Sequence, residues 1–296
     1  MAHQLSNGIL TVELADVGSY SGTRFDWTGF ITQVTLAAGT AKHTFCVPES
    51  LQPGQGTGGI GLCGEYGISR AIGYEEAEVG EWFPKLGVGL LQKQNAEPYL
   101  FHHEFPLIPF EKHVQAAEGR ITYTVEPLDC RGYSMRLNKT VSLHGDILEI
   151  AYELENTGTK PIDTEEYIHN FVGINGAKVG AGYELSWSGT PRVDEPESEY
   201  TVGLLDISGG IVRWNREPDR PFYGKPAGWE QAEAEWYWEL RHLPSGAGVR
   251  ESGDFRAARI ALWGERHVIS PEVFVNINVL PRHSKHWRRF YRFFAL

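Results

Sequence analysis

Cysteine is scarce: Cys46, Cys63 and Cys130 are the three in 296 residues, widely spaced, and no CxxC pair occurs. An odd count at that spacing supports neither a disulfide framework nor a structural zinc site. Long apolar runs are also missing, and none approaches the length of a membrane-spanning helix. The opening segment, Met1 to Ser6, has no basic stretch leading into an apolar one. No signal peptide is therefore expected, and the protein reads as soluble and cytoplasmic. Positive charge is in deficit, with 27 Lys and Arg against 38 Asp and Glu and a formal net charge of -11. Nucleic acid and anionic membranes are accordingly poor partners. The one basic stretch, Arg282 to Arg292, alternates cations with aromatics, the pattern of a strand with one wet face.

Helical periodicity is nearly absent too. In its place, alternation with period two recurs from end to end. Ile121, Tyr123 and Val125 alternate with Thr122, Thr124 and Glu126. Met135, Leu137, Lys139, Val141 and Leu143 share the next register, and Leu148, Ile150, Tyr152 and Leu154 the one after. Each pattern predicts a strand with one buried face. Turn signals separate them, including Leu143-His144-Gly145-Asp146 and Glu155-Asn156-Thr157-Gly158. The stretch from Ser134 to Thr164 thus reads as a hairpin followed by a return strand. With 34 Gly and 16 Pro spread along the chain, the expectation is an all-β protein, two large stacked antiparallel sheets. No repeat or low-complexity linker divides it, so residues 1–296 read as one domain. The acidic segment Asp194 to Glu199 and the Pro- and Gly-rich Glu217 to Gly228 read as long loops.

Aromatics are plentiful: 9 Trp, 13 Tyr and 14 Phe. Most belong to a core, but so many rings also suit stacking on the apolar faces of sugars. Gly54-Gln55-Gly56-Thr57-Gly58-Gly59 spells the dinucleotide fingerprint GxGxxG without the strand before it or the helix after it. It reads as a mobile glycine loop. The segment from Gly64 to Phe83 mixes carboxylates, aromatics and glycine, as either a polar pocket wall or a solvated loop would. His102 and His103 sit side by side in Tyr99 to Phe105. On a strand they would face opposite ways and could not chelate one metal, so no metal site is expected. Two titratable groups stand out at the edges of strand-like runs: His169 in Tyr167-Ile168-His169-Asn170-Phe171, and Glu272 in Ser270-Pro271-Glu272. Together they would make a general acid and a general base near neutral pH.

Several of these segments carry a resemblance. Leu137 to Leu143, Leu148 to Gly158 and Tyr167 to Phe171 resemble the central region of aldose 1-epimerase (galactose mutarotase)-like proteins. Trp263, Ser270-Pro271-Glu272, Trp287 and Tyr291-Arg292-Phe293 fit the end of that family, and Gly18 to Leu36 its beginning. The likeness spans nearly the whole chain through loose motifs and is nearest to the divergent members. It implies a supersandwich with a sugar cleft on one face, in which Glu272 is the base at the anomeric hydroxyl and His169 the acid at the ring oxygen, with no cofactor. It also suggests that the two groups stand on opposite edges of a sugar ring. Substrate contacts are then expected from Arg70, Glu65, His102, His103, Tyr167 and Asn170, with Arg70, His102 and His103 standing in for an arginine and a second histidine of the better-studied branch. That branch carries Asn-His-x-Tyr-Phe-Asn-Leu where this chain has Tyr167-Ile168-His169-Asn170-Phe171, and a Pro-Gly where it has Pro281-Arg282.

The implied partner is a small-molecule sugar bound by a monomer or homodimer. Two other readings stay open on the sequence. A hexose-phosphate 1-epimerase would need a cationic cluster, for which Arg24, Arg70 and Lys85 are the candidates. A carbohydrate-binding protein would keep the cleft without turnover.

Overall fold

The computed structural model describes residues 3–190, 192–193, 198–228 and 235–296. Among these, most of the chain forms two antiparallel sheets, one of 9 strands and one of 10, with smaller sheets of 2 and 3 strands beside them. The first sheet runs in the order His3–Ser6, Leu10–Leu14, Ile31–Ala38, Leu62–Tyr66, Ile162–Asn170, Val268–Val279, Arg259–Glu265 and Phe222–Gly224. Ala41–Thr44 pairs with Ile31–Ala38 off that path. The second sheet has at its centre Ala247–Gly253, Ser284–Ala295, Ile147–Asn156 and Met135–His144. Buried side chains from both sheets merge into one apolar cluster between them. The protein is a large all-β antiparallel sandwich.

The alternation seen in the sequence fixes the faces. Ile121, Tyr123 and Val125 are buried, as are Met135, Leu137, Lys139 and Val141. Leu148, Ile150, Tyr152 and Leu154 are buried on the neighbouring strand. The hairpin pairs Leu143 with Leu148 and Val141 with Ile150. Gly145 takes its turn at φ +62°, a conformation costly for any residue with a Cβ. Lys139 shares the inner face because its ammonium reaches Asp26 Oδ2 at 3.1 Å and the Thr28 carbonyl at 2.9 Å. The return strand that follows the hairpin crosses to the first sheet, where Ile162–Asn170 lies between Leu62–Tyr66 and Val268–Val279. All but one of its nine residues are buried. A strand covered on both faces belongs at a sheet centre rather than at a hairpin edge.

The basic run near the C-terminus forms the strand Ser284–Ala295. His286, Arg288 and Arg292 face outward, whereas Arg289 points inward with Trp287, Tyr291 and Phe293. Arg289 is fully buried and bonds Glu166 Oε2 and Glu251 Oε1, each at 2.7 Å, and the Val273 carbonyl at 2.9 Å. Glu251 also accepts from Trp238 Nε1 at 2.5 Å and from Asn170 Nδ2 at 3.2 Å. Tyr291 donates to Asn170 Oδ1 at 3.0 Å. This network joins the two sheets through buried polar groups, with Glu166 Oε1 alone among its carboxylate oxygens left without a hydrogen bond.

Two expectations change. Tyr99 to Phe105 is a turn rather than a strand, and the rings of His102 and His103 touch edge to face at 4.8 Å instead of pointing apart. Pro98 and Pro106 bracket the segment and supply no N–H for a ladder. The stretch Glu217 to Gly228 contains the short strands Phe222–Gly224 and Pro226–Ala227. The acidic loop expected at Asp194 to Glu199 lies largely outside the described residues. Among the described residues the three cysteines are free and buried, and no helix is long and apolar enough to cross a membrane.

Replacing Arg289 with Ala would leave Glu166 and Glu251 buried without their counter-charge. Arg289→Ala is expected to lower unfolding free energy by about 3–5 kcal/mol, measured by urea denaturation. A loss below about 1 kcal/mol would show that the network is not what joins the sheets.

Candidate active site

The pleat of Ile162–Asn170 points Glu166 and Asn170 at the second sheet and Tyr167 and His169 at the opposite face. Its ladder with Val268–Val279 runs from Ile162↔Val279 to Glu166↔Val275 and resumes at Val172↔Ile269. The register is the same on both sides of the gap, which sets His169 opposite Glu272. Pro271 lies in the gap and has no N–H to give. Side chains fill in. The Asn170 N–H donates to Ser270 Oγ at 3.0 Å, and Asn170 Nδ2 donates to the Pro271 carbonyl at 2.6 Å.

That repair builds a triad. Ser270 Oγ lies 2.8 Å from His169 Nδ1 and 3.2 Å from Glu272 Oε1, and His169 Nε2 lies 3.4 Å from Glu272 Oε1. All contacts are satisfied together when Ser270 accepts from Asn170 N–H and His169 Nδ1–H and donates to Glu272. His169 Nε2 then presents a lone pair to Glu272. The imidazole stacks on Phe171 at 4.0 Å and meets the Trp263 ring edge to face at 5.1 Å, which fixes its plane. His169 and Glu272 are only 4% and 5% exposed, so neither carries charge cheaply. Burial lifts the Glu272 carboxyl to about 8, against the opposing pull of Arg24 and of the Ser270 hydrogen bond. Burial, reinforced by the Arg24 charge, holds the imidazole well below its usual value. Both shifts favour the neutral forms, a protonated Glu272 carboxyl beside a neutral imidazole.

Both groups open into a cleft of about 480 Å³, also lined by Arg24, Tyr167, Tyr223 and Trp263. Its floor crosses four adjacent strands of the first sheet: Ile162–Asn170, Val268–Val279, Arg259–Glu265 and Phe222–Gly224. Loops close the sides. Arg24 donates to Glu65 Oε2 at 2.9 Å, Thr57 Oγ1 at 2.9 Å and Tyr167 OH at 3.2 Å. Burial alone would lower its pKa, but Glu65 and Tyr167 hold it above the ordinary guanidinium value. Tyr167 in turn donates to Glu65 Oε2 at 2.6 Å. The glycine loop expected to be mobile is tied down, because Glu49 accepts from the N–H groups of Thr57 at 2.6 Å and Gly59 at 3.1 Å. A Cβ at Gly59 would collide with the Phe171 ring that supports His169.

No protein-family model matches the chain, and no curated protein matches it in sequence. Solved structures do. A galactose mutarotase related enzyme from Lactobacillus acidophilus has a TM-score of 0.61 at 10% identity, covering 100% of this chain and 98% of that one. A galactose mutarotase-like protein from Clostridium acetobutylicum gives 0.59 at 8%, covering 99% and 95%. The GalM/aldose epimerase homologue from C. elegans gives 0.56 at 9%, covering 100% and 99%. The chain has the galactose mutarotase-like fold. Identity this low carries the fold alone, leaving the chemistry to be argued from this chain's own residues.

On this mutarotase-like frame the expected site residues separate. His169, Glu272, Tyr167 and His102 line one cleft. Glu65 has no exposure and lies beneath Arg24, and Asn170 faces the other sheet; both hold the site from behind. His103 lines a neighbouring cavity that shares the Phe101–His102 wall. Arg70 lies elsewhere, bonded to Asp163, the Thr164 carbonyl and Asn276. The chain turns at Gly67, φ +62°; Ile68 still lines the cleft, and Arg70 lies beyond it. Arg24, Glu49, Thr57, Tyr223 and Trp263 line the cleft although none was expected as a sugar contact. Nor do His169 and Glu272 stand a ring's width apart. The anomeric hydroxyl and the ring oxygen are bonded to the same carbon, so groups serving both must be neighbours. Among the described residues no cluster of His, Cys, Asp and Glu suits a metal ion.

The raised Glu272 pKa has a consequence for stability. Between its ordinary 4.5 and about 8, the folded carboxyl holds a proton that the unfolded one has released. Stability must therefore fall as pH rises through that window, by up to about 1.4 kcal/mol per pH unit. Lowering of the His169 pKa acts at the other end, costing stability as pH drops below 6.5. Glu272→Gln is expected to remove the alkaline-side slope in urea denaturation from pH 5 to 8.5. Parallel curves for the two proteins would contradict this.

Proposed function

We propose that the protein is an aldose 1-epimerase-type enzyme that interconverts the α and β anomers of a sugar. The observation that carries the reading is the His169–Glu272 pair, 3.4 Å apart on the floor of the cleft. With a ring sugar bound and the proton on His169, the Glu272 carboxylate takes the proton of the anomeric hydroxyl. His169 gives its own proton to the ring oxygen, and the bond between that oxygen and the anomeric carbon breaks. The pair now holds its proton on Glu272, the state favoured in the empty cleft. Rotation of the aldehyde and closure run the same transfers backwards, so each group is base in one half and acid in the other. The pair's proton count never changes, and no cofactor takes part.

Arg24 is committed to Glu65, Thr57 and Tyr167, Lys85 donates to the Tyr66 carbonyl behind Glu65, and Arg70 lies outside the cleft. The three cations suggested for a sugar phosphate do not converge, which favours an uncharged sugar. Trp263 and Tyr223 in the wall suit its apolar faces.

Saturation transfer between α and β anomeric protons across an aldose panel tests the reading. Glu272→Gln should slow exchange by about 100-fold or more while binding persists, and His169→Asn by less if water replaces the acid. Because catalysis needs one proton on the pair, the rate should also fall as pH rises through about 8. Wild-type exchange in either variant would remove that residue from the mechanism. Sugar binding without exchange is the result expected of a carbohydrate-binding protein.

A further inference from the structure

Two further cavities adjoin the cleft through shared lining residues. A narrow one of about 80 Å³ shares Arg24, Thr57, Phe101 and His102 with it. This in turn shares Tyr20, Gly22, Thr23, Thr57 and Glu104 with a third cavity of about 570 Å³. Cavities of about 480 and 570 Å³ each fall within the size of a small-molecule site, roughly 300–1,000 Å³. The one between them is too small for such a ligand and suits a linkage. The outer cavity offers the Ser21 hydroxyl, the Glu104 carboxylate and the rings of Tyr20 and Phe105, beside Ser19 and Thr57, whose hydroxyls already donate to the Asp16 carbonyl and to Glu49, with no Lys or Arg in its lining. Hydroxyls, a carboxylate and ring faces match the donors, acceptors and apolar faces of a neutral sugar, and the absence of cations speaks against a phosphate or sulfate.

We propose that the outer cavity is a second saccharide subsite and that the protein takes oligosaccharides by their reducing end. The reducing ring would sit over His169 and Glu272, the glycosidic linkage would pass the Phe101–His102 wall, and the next ring would occupy the space between Tyr20 and Phe105. The order of the rings rests on the epimerase reading of the cleft, whereas the existence of the subsite does not.

Glucose, galactose, maltose, cellobiose and lactose serve as probes, with binding followed by saturation-transfer difference NMR and anomer exchange in the same samples. At least one disaccharide should bind tenfold or more tightly than its own reducing monosaccharide, with protein contact on both rings. Ser21→Trp fills the outer cavity without touching the catalytic cleft. It should abolish the tenfold gain and the second-ring contact while monosaccharide affinity, which reports an intact fold, stays unchanged. Phe105→Ala should reduce the gain without blocking the cavity. Disaccharides that bind no better than monosaccharides, or a gain that survives Ser21→Trp, would overturn the subsite, as would a panel in which no sugar binds. Two-ring binding lost in Ser21→Trp, with no anomer exchange for any sugar, would leave the subsite standing and overturn only the epimerase reading.

Discussion

Arg289 has no exposure, so its charge must be balanced within the protein. Glu166, from the first sheet, and Glu251, from its own, provide that balance. Glu251 passes the constraint on by accepting from Asn170, whose amide also holds the Pro271 carbonyl. Asn170 and Pro271 each adjoin a titratable residue of the cleft, His169 and Glu272. One buried guanidinium thus ties the two sheets together and fixes, from behind, the strands that carry the candidate chemistry. The proline matters as much. A residue with an N–H at position 271 would let the ladder close, and Ser270 would lose its reason to accept from the Asn170 backbone.

On the cleft side the same low-dielectric setting acts on proton affinity. A carboxyl and an imidazole, each nearly dry, both favour their neutral forms, and a single proton between them satisfies both. Arg24 tempers this for Glu272 by favouring the charged carboxylate and reinforces it for His169 by opposing a charged imidazole. Its own charge is largely answered by Glu65, which Tyr167 and Lys85 also contact. Ser270 links the two groups and aligns them, and packing between Phe171 and Trp263 keeps the imidazole from turning. A proton can then move within the pair with little rearrangement, which is what the anomerisation of a sugar asks of it.

Much of this was legible in the chain. Period-two alternation marked the hairpin Met135–His144 and Ile147–Asn156 with its buried face, and the fold class followed from it. His169 and Glu272 could be picked out because each is a lone titratable group at the end of an apolar strand. Parity alone would have turned Arg289 inward, since it alternates with Trp287, Tyr291 and Phe293. Arg24 and Glu65 were harder. Glu65 lies in a strand whose five residues are all buried, so alternation gives no sign of its face. Arg24 enters from an irregular loop, where no periodicity applies. Arg70 misled because local composition says nothing of where the turn after Gly67 sends the chain.

The central claim is that the His169–Glu272 pair of the empty protein holds one proton, seated on the carboxyl. Carbon-13 NMR of labelled glutamate side chains, with nitrogen-15 NMR of the histidine ring, reads both groups from pH 5 to 9. The Glu272 carboxyl carbon, assigned through Glu272→Gln, is predicted to stay at its protonated position through neutral pH and to titrate near 8. The His169 ring should remain neutral throughout, with its proton on Nδ1. A Glu272 carboxylate already ionised at pH 6, beside a protonated His169, would contradict the account.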